Sequence, residues 1–189
     1  MKLSHLAPIV ALFALGAAGC GPKKDKDAPK PKVISAAELT PLGPAPAWTL
    51  KDVNGNPISS DQFKGKIVVL DFWATWCPPC RAEIPGYTEL QRKYGKDGLA
   101  IVGVSVDEAS TINTVKEFIQ KNGMNYPVVM ADEKILAAYG NVEFFPTTFL
   151  IDRTGQIRDR KIGMEPTEDY EQKIAALLKA GAGTASGEM

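Results

Sequence analysis

Short apolar runs and stretches of helical spacing follow one another along the chain and lay out most of its elements. Ile67-Val68-Val69-Leu70-Asp71-Phe72 is brief, β-branched and apolar, the pattern of a buried strand. After Cys80 the period changes: Ile84, Tyr87, Leu90, Gln91 and Tyr94 recur three to four apart, which predicts a helix. Gly98 to Asp107 reads as a second buried strand, parallel to the first. Thr111 to Asn122 follows as an amphipathic helix with Val115, Phe118 and Ile119 on its apolar side. A short strand, Tyr126 to Met130, and a short helix, Lys134 to Tyr139, come next. Phe144 to Asp152 is apolar and contains Pro146 near its start, unusual on ladder grounds. The turn Arg153-Thr154-Gly155-Gln156 then makes a hairpin with Ile157 to Ile162. Glu168 to Ala180 closes the pattern as a helix with Tyr170, Ile174, Leu177 and Leu178 inward. Upstream, Asn54-Gly55-Asn56-Pro57 between Trp48-Thr49-Leu50 and Ile58 predicts a further hairpin.

Strands interleaved with helices make this an α/β chain with a mixed central sheet. Its 189 residues, less the two ends, suit one domain with a sizeable core. That domain is expected over residues 45–180, with a disordered small, polar tail at 181–189. At the other end, Leu6 to Ala18 is apolar but too short to span a bilayer, and it reads as a signal peptide over residues 1–19. Small residues lead into Cys20, as at a bacterial lipoprotein cleavage site. Lipidation of Cys20 would account for an odd exported cysteine, and ordinary cleavage after Gly19 is the rival. Residues 20–44, rich in Lys, Asp, Pro and Ala, read as a flexible tether. The 22 basic and 22 acidic side chains cancel, which gives no reason to expect nucleic acid as a partner.

The chemistry concentrates at Trp76-Cys77-Pro78-Pro79-Cys80, where the first strand ends and the first helix begins. With Cys77 as N-cap, Pro78 and Pro79 occupy the first two helical positions, where a missing N–H costs little. The Cys77 sulfur can then accept the Cys80 N–H, and the helix dipole favours a thiolate. One helical turn keeps the two sulfurs close enough to bond. Cys77 would attack a substrate disulfide and Cys80 would resolve the mixed disulfide. A zinc half-site lacks partners, since the other cysteine is Cys20 and the single histidine is His5, so neither metal nor organic cofactor is expected. A static structural disulfide stays open. Peroxide reduction is a further rival, but the Pro-x-x-x-Thr/Ser-x-x-Cys pattern precedes neither cysteine. Asp71, a carboxylate within a buried strand, needs a job or a partner. Burial would raise its pKa and suit it to take the proton from Cys80; a structural hydrogen-bonded acid is the alternative.

The run Val69-Leu70-Asp71-Phe72-Trp73-Ala74-Thr75-Trp76-Cys77-Pro78-Pro79-Cys80 closely resembles the thioredoxin superfamily, above all the extracytoplasmic thiol–disulfide reductases of the TlpA/ResA type. The resemblance covers roughly residues 45 to 180. It implies a thioredoxin fold with an N-terminal hairpin and a helix–strand insertion. It implies an aspartate base at Asp71, an active-site glutamate at Glu83, and a cis-proline at Pro146 packed against the cysteines. A solvated helix surface remains the alternative for Glu83. Trp76, Pro78, Pro79, Phe145 and Pro146 would form the substrate-docking rim, with the Phe145 backbone pairing to an extended substrate strand. The implied activity is reduction of protein disulfides by an enzyme facing the periplasm or cell exterior and recharged by a membrane thiol donor. Cytochrome c maturation is the candidate process and apocytochrome c the candidate substrate.

Overall fold

A computed structural model describes residues 34–182 of the chain. The predicted signal peptide, His5, Cys20, the first part of the tether and tail residues 183–189 lie outside the described residues. Among the described residues, eight strands and four α-helices follow one another: β1 (Gly43–Pro44), β2 (Thr49–Lys51), β3 (Pro57–Ser59), β4 (Ile67–Trp73), α1 (Pro78–Tyr94), β5 (Leu99–Ser105), α2 (Ile112–Lys121), β6 (Val128–Met130), α3 (Glu133–Ala138), β7 (Thr147–Ile151), β8 (Gln156–Ile162) and α4 (Thr167–Ala182). Six strands form one mixed sheet in the order β1-β8-β7-β4-β5-β6. β4 runs parallel to β5 and β5 to β6, whereas β7 is antiparallel to both β4 and β8. β2 and β3 form the predicted hairpin. The predicted helix–strand insertion is α2 with β6. This is the thioredoxin fold expected from the sequence.

β4 is buried along its whole length because both faces are covered. Its odd positions, Ile67, Val69 and Trp73, pack with Cys77, with Cys80, Ile84, Tyr87 and Leu90 of α1, and with Tyr170 and Ile174 of α4. Its even positions, Val68, Leu70 and Phe72, pack on the opposite face with Ile135, Tyr139 and Phe149. Asp71 is an odd position and therefore shares the face of the cysteines. Glycine is required at Gly103 on β5: an added Cβ would stand 2.8 Å from the indole nitrogen of Trp73.

The tether boundary is corrected. It was expected to run to residue 44, but residues 34–44 fold onto the domain. Leu39 is buried, β1 pairs with β8, and the Arg158 guanidinium donates to the carbonyls of Ala36 and Leu39. Composition treats residues 20–44 as one polar block, and it cannot register one apolar anchor and one distant arginine. At the other end α4 runs to 182, two residues into the predicted tail.

Removing this strap has a measurable cost. A chain beginning at Ala45 should be less stable by about 2 kcal/mol or more than one beginning at Ile34, the scale of one buried leucine plus lost hydrogen bonds. Urea denaturation of the two forms checks this, and equal midpoints would contradict it.

Candidate functional site

The sheet delivers β4 to the head of α1, and a carboxylate clamps the loop between them. Asp107, just past β5, accepts the Thr75 N–H (2.9 Å), the Thr75 hydroxyl (2.5 Å) and the Ser105 hydroxyl (2.8 Å). Thr75 lies two residues before Cys77, so two hydrogen bonds fix the approach to the first cysteine and the third steadies the carboxylate that makes them. The sequence reading missed Asp107; its only signal was a carboxylate at the end of a buried strand.

Cys77 is the N-cap of α1, with extended backbone and with Pro78 and Pro79 at the first two helical positions. Its sulfur accepts the Cys80 N–H at 3.3 Å, and the two sulfurs are joined in a disulfide. Both cysteines are buried, but their neighbours differ. Trp76, Pro78 and Pro79 around Cys77 are exposed, whereas Cys80 opens the inward stripe Cys80, Glu83, Ile84, Tyr87 and Leu90. The Phe145–Pro146 peptide is cis and Pro146 is buried, while the Phe145 ring meets Trp76 edge-on at 6.1 Å. Of the predicted docking residues, Phe145 is thus brought against Trp76, and Pro146 lies buried behind it. Exposed Phe144 and Met164 flank the same stretch, since the Gly163 N–H donates to the Pro146 carbonyl (2.8 Å).

Behind the cysteines a row of polar groups crosses three strands. Register places Asp71 opposite Thr148, and Thr148 opposite Lys161, so the three side chains share the α1 face. The Thr148 hydroxyl bonds Asp71 at 2.9 Å and Tyr87 at 3.2 Å. The Lys161 ammonium donates to the Tyr87 oxygen at 3.0 Å and is ion-paired with Glu83. Glu83 also accepts the Glu165 N–H at 3.2 Å. The solvated-surface alternative for Glu83 is therefore wrong: its position on the apolar stripe of α1 carries it inward, where Lys161 compensates it. Among the described residues, no group of His, Cys, Asp or Glu is arranged to hold a metal ion.

Asp71 is fully enclosed, and burial pushes its pKa up from the ordinary value of 3.8 to about 7. The Thr148 hydrogen bond opposes this rise, the charge of Glu83 adds to it, and the charge of Lys161 opposes it. Burial likewise holds the Tyr87 hydroxyl well above its usual range.

The fold and the cysteine pair define the class: a thioredoxin-fold protein with a disulfide-forming Cys-x-x-Cys at a helix N-terminus. Residues 42–160 match the AhpC/TSA family, and the chain belongs to that family, on its thioredoxin-like side. It is 38% identical over 131 residues to the thioredoxin-like protein YneN of Bacillus subtilis (strain 168), covering 69% of this chain and 76% of the relative. To the thiol–disulfide oxidoreductase ResA of Bacillus thuringiensis (strain Al Hakam) it is 38% identical over 128 residues, covering 67% and 72%. A thiol:disulfide interchange protein of the thioredoxin family from Chlorobium tepidum TLS superposes with a TM-score of 0.67 at 34% identity, covering 74% of this chain and 97% of that one. With these relatives the chain is a thiol–disulfide oxidoreductase, and the static-disulfide reading falls away.

The buried carboxylate has a consequence for stability. Folded Asp71 keeps its proton to about pH 7, whereas an unfolded aspartate releases it near 3.8, so the folded state binds more protons between those values. Its contribution to stability therefore falls as pH rises through that window, by at most roughly 4 kcal/mol at about 1.4 kcal/mol per unit. Urea denaturation of the oxidised protein should show Asp71→Asn more stable than the parent above pH 7, with the gap closing towards pH 4.

Proposed function

We propose that the chain reduces disulfides in proteins outside the cytoplasm through Cys77 and Cys80. The observation that carries this reading is the Cys77 sulfur at the head of α1, receiving the Cys80 N–H and ringed by exposed Trp76, Pro78 and Pro79. A surface rim of this kind suits a macromolecular disulfide. In the reduced protein the Cys77 thiolate attacks one substrate sulfur, and the other substrate sulfur leaves as a thiolate. Cys80 then gives its proton to the Asp71 carboxylate and attacks the Cys77 sulfur of the mixed disulfide. The second substrate thiolate leaves, the Cys77–Cys80 bond forms, and two electrons have passed to the substrate. This role for Asp71 is supported by its alternation with Val69 and Trp73, which puts it on the β4 face that packs against α1.

The Phe145 backbone beside Pro146 would hold an extended substrate segment. The finer reading follows from the leader and the resemblance: lipid on Cys20, a membrane surface at the periplasm or cell exterior, a membrane thiol donor that recharges the pair, and apocytochrome c as substrate. No helix among the described residues is long and apolar enough to cross a membrane. An anchor would thus come from residues upstream of the domain. Peroxide reduction is less well supported, because neither cysteine is preceded by the pattern that such enzymes use.

Insulin reduction with a dithiol donor tests the proposal. Cys77→Ser should lose activity to background, and Cys80→Ser should accumulate a mixed disulfide with the substrate, visible as a reducible adduct. Undiminished turnover by Cys77→Ser would overturn the assignment.

A further inference from the structure

The row behind the cysteines is more than a set of paired charges, because its hydrogen bonds have a direction. An ionised Asp71 can only accept, so Thr148 gives its single hydroxyl proton to Asp71. In the Tyr87–Thr148 contact the Tyr87 hydroxyl must then be the donor. Lys161 has donors and no acceptor, so it donates to the Tyr87 oxygen. Three successive bonds thus run one way, from the Lys161 ammonium through Tyr87 and Thr148 to the Asp71 carboxylate.

We propose that Lys161, Tyr87 and Thr148 are positioning residues for thiol–disulfide exchange, forming a one-way hydrogen-bond chain that governs how tightly Asp71 holds its proton. With Asp71 accepting, every hydroxyl of the chain has both a donor and an acceptor partner, and the bond from Thr148 is stronger when the carboxylate is ionised. Each donor polarises the next, so the cation favours that form at a distance it could not reach by direct contact. Glu83 works against the chain from the other end. It draws the Lys161 ammonium to itself and places a second negative charge in the same enclosed space. One buried cation thus serves two buried carboxylates, and their competition for it sets the proton count of the site.

The groups facing this row come from every element packed there. Asp71 stands on β4, Thr148 on β7 and Lys161 on β8. Glu83 and Tyr87 stand on α1, and Tyr170 of α4 lies with its ring 5.3 Å from the Lys161 nitrogen. Tyr126, ahead of β6, completes the enclosure. Burial keeps the Tyr87, Tyr126 and Tyr170 hydroxyls protonated, so the charges in play are those of Asp71, Glu83 and Lys161.

The inference rests on Asp71 as the base for Cys80, and two readouts separate the ideas. The first is the Asp71 midpoint, from the carbon-13 shift of its carboxyl in the full oxidised protein. The second is the pH profile of insulin reduction. Tyr87→Phe keeps the ring and removes one link, and it should raise the midpoint by about half a unit or more. Thr148→Val removes the last donor and should raise it further. Glu83→Gln frees the cation and should lower it. Opposite shifts from two residues on the same helix are not what a general loss of packing gives. An unchanged midpoint in both Tyr87→Phe and Thr148→Val would overturn the chain. Midpoints that move while the activity profile does not would overturn Asp71 as the base and leave the chain standing.

Discussion

One N–H to sulfur contact at the head of α1 is what the rest of the site is arranged around. The Cys80 amide reaches the Cys77 sulfur only if Cys77 is an N-cap with extended backbone and the helix starts at once after it. Pro78 and Pro79 make that start abrupt, and because they carry no N–H they leave Cys80 as the one donor among the first three helical positions. The approach is fixed as firmly as the exit. β4 is locked between β5 and β7, and Asp107, itself held by the Ser105 hydroxyl, ties Thr75 down with two hydrogen bonds. A sulfur held in this way feels the positive end of the helix, and the same geometry that caps the helix favours its thiolate.

The site also demands something costly beneath it. Three ionisable groups, Asp71, Glu83 and Lys161, lie buried together beneath α1. Removing one partner of a buried pair typically costs about 3–5 kcal/mol, so such an arrangement persists only when its members satisfy one another. Here the register across β4, β7 and β8 aligns Asp71, Thr148 and Lys161 in one row, and α1 lowers Tyr87 and Glu83 onto it. The sheet thereby links the exchange chemistry at the surface to a store of charge in the core.

Most of the frame was legible along the chain. The buried runs became β4 and β5, the three-to-four spacing became α1, and Asn54-Gly55 marked the hairpin, because each signal is local. Lys161 was not legible, for a reason that can be traced. β7 and β8 slip register between Leu150 and Ile151, so Ile157 faces Ile151 while Asp159 faces Leu150. Arg158 is the extra residue of this bulge, and beyond it the odd positions of β8 switch from the α3 side to the α1 side. Simple alternation from Ile157 therefore gives no warning that Lys161 points at Tyr87 and Glu83. The strap at residues 34–44 was missed for a similar reason, since its partner Arg158 lies more than a hundred residues away.

The activation of Cys77 is open to direct measurement in the reduced protein. The rate of alkylation of Cys77 by iodoacetamide, followed against pH, reports its thiolate fraction. A midpoint at or below about 7.5 is expected for a sulfur capping a helix in this way. A midpoint at or above about 8.5, the value of an ordinary cysteine, would contradict an activated Cys77.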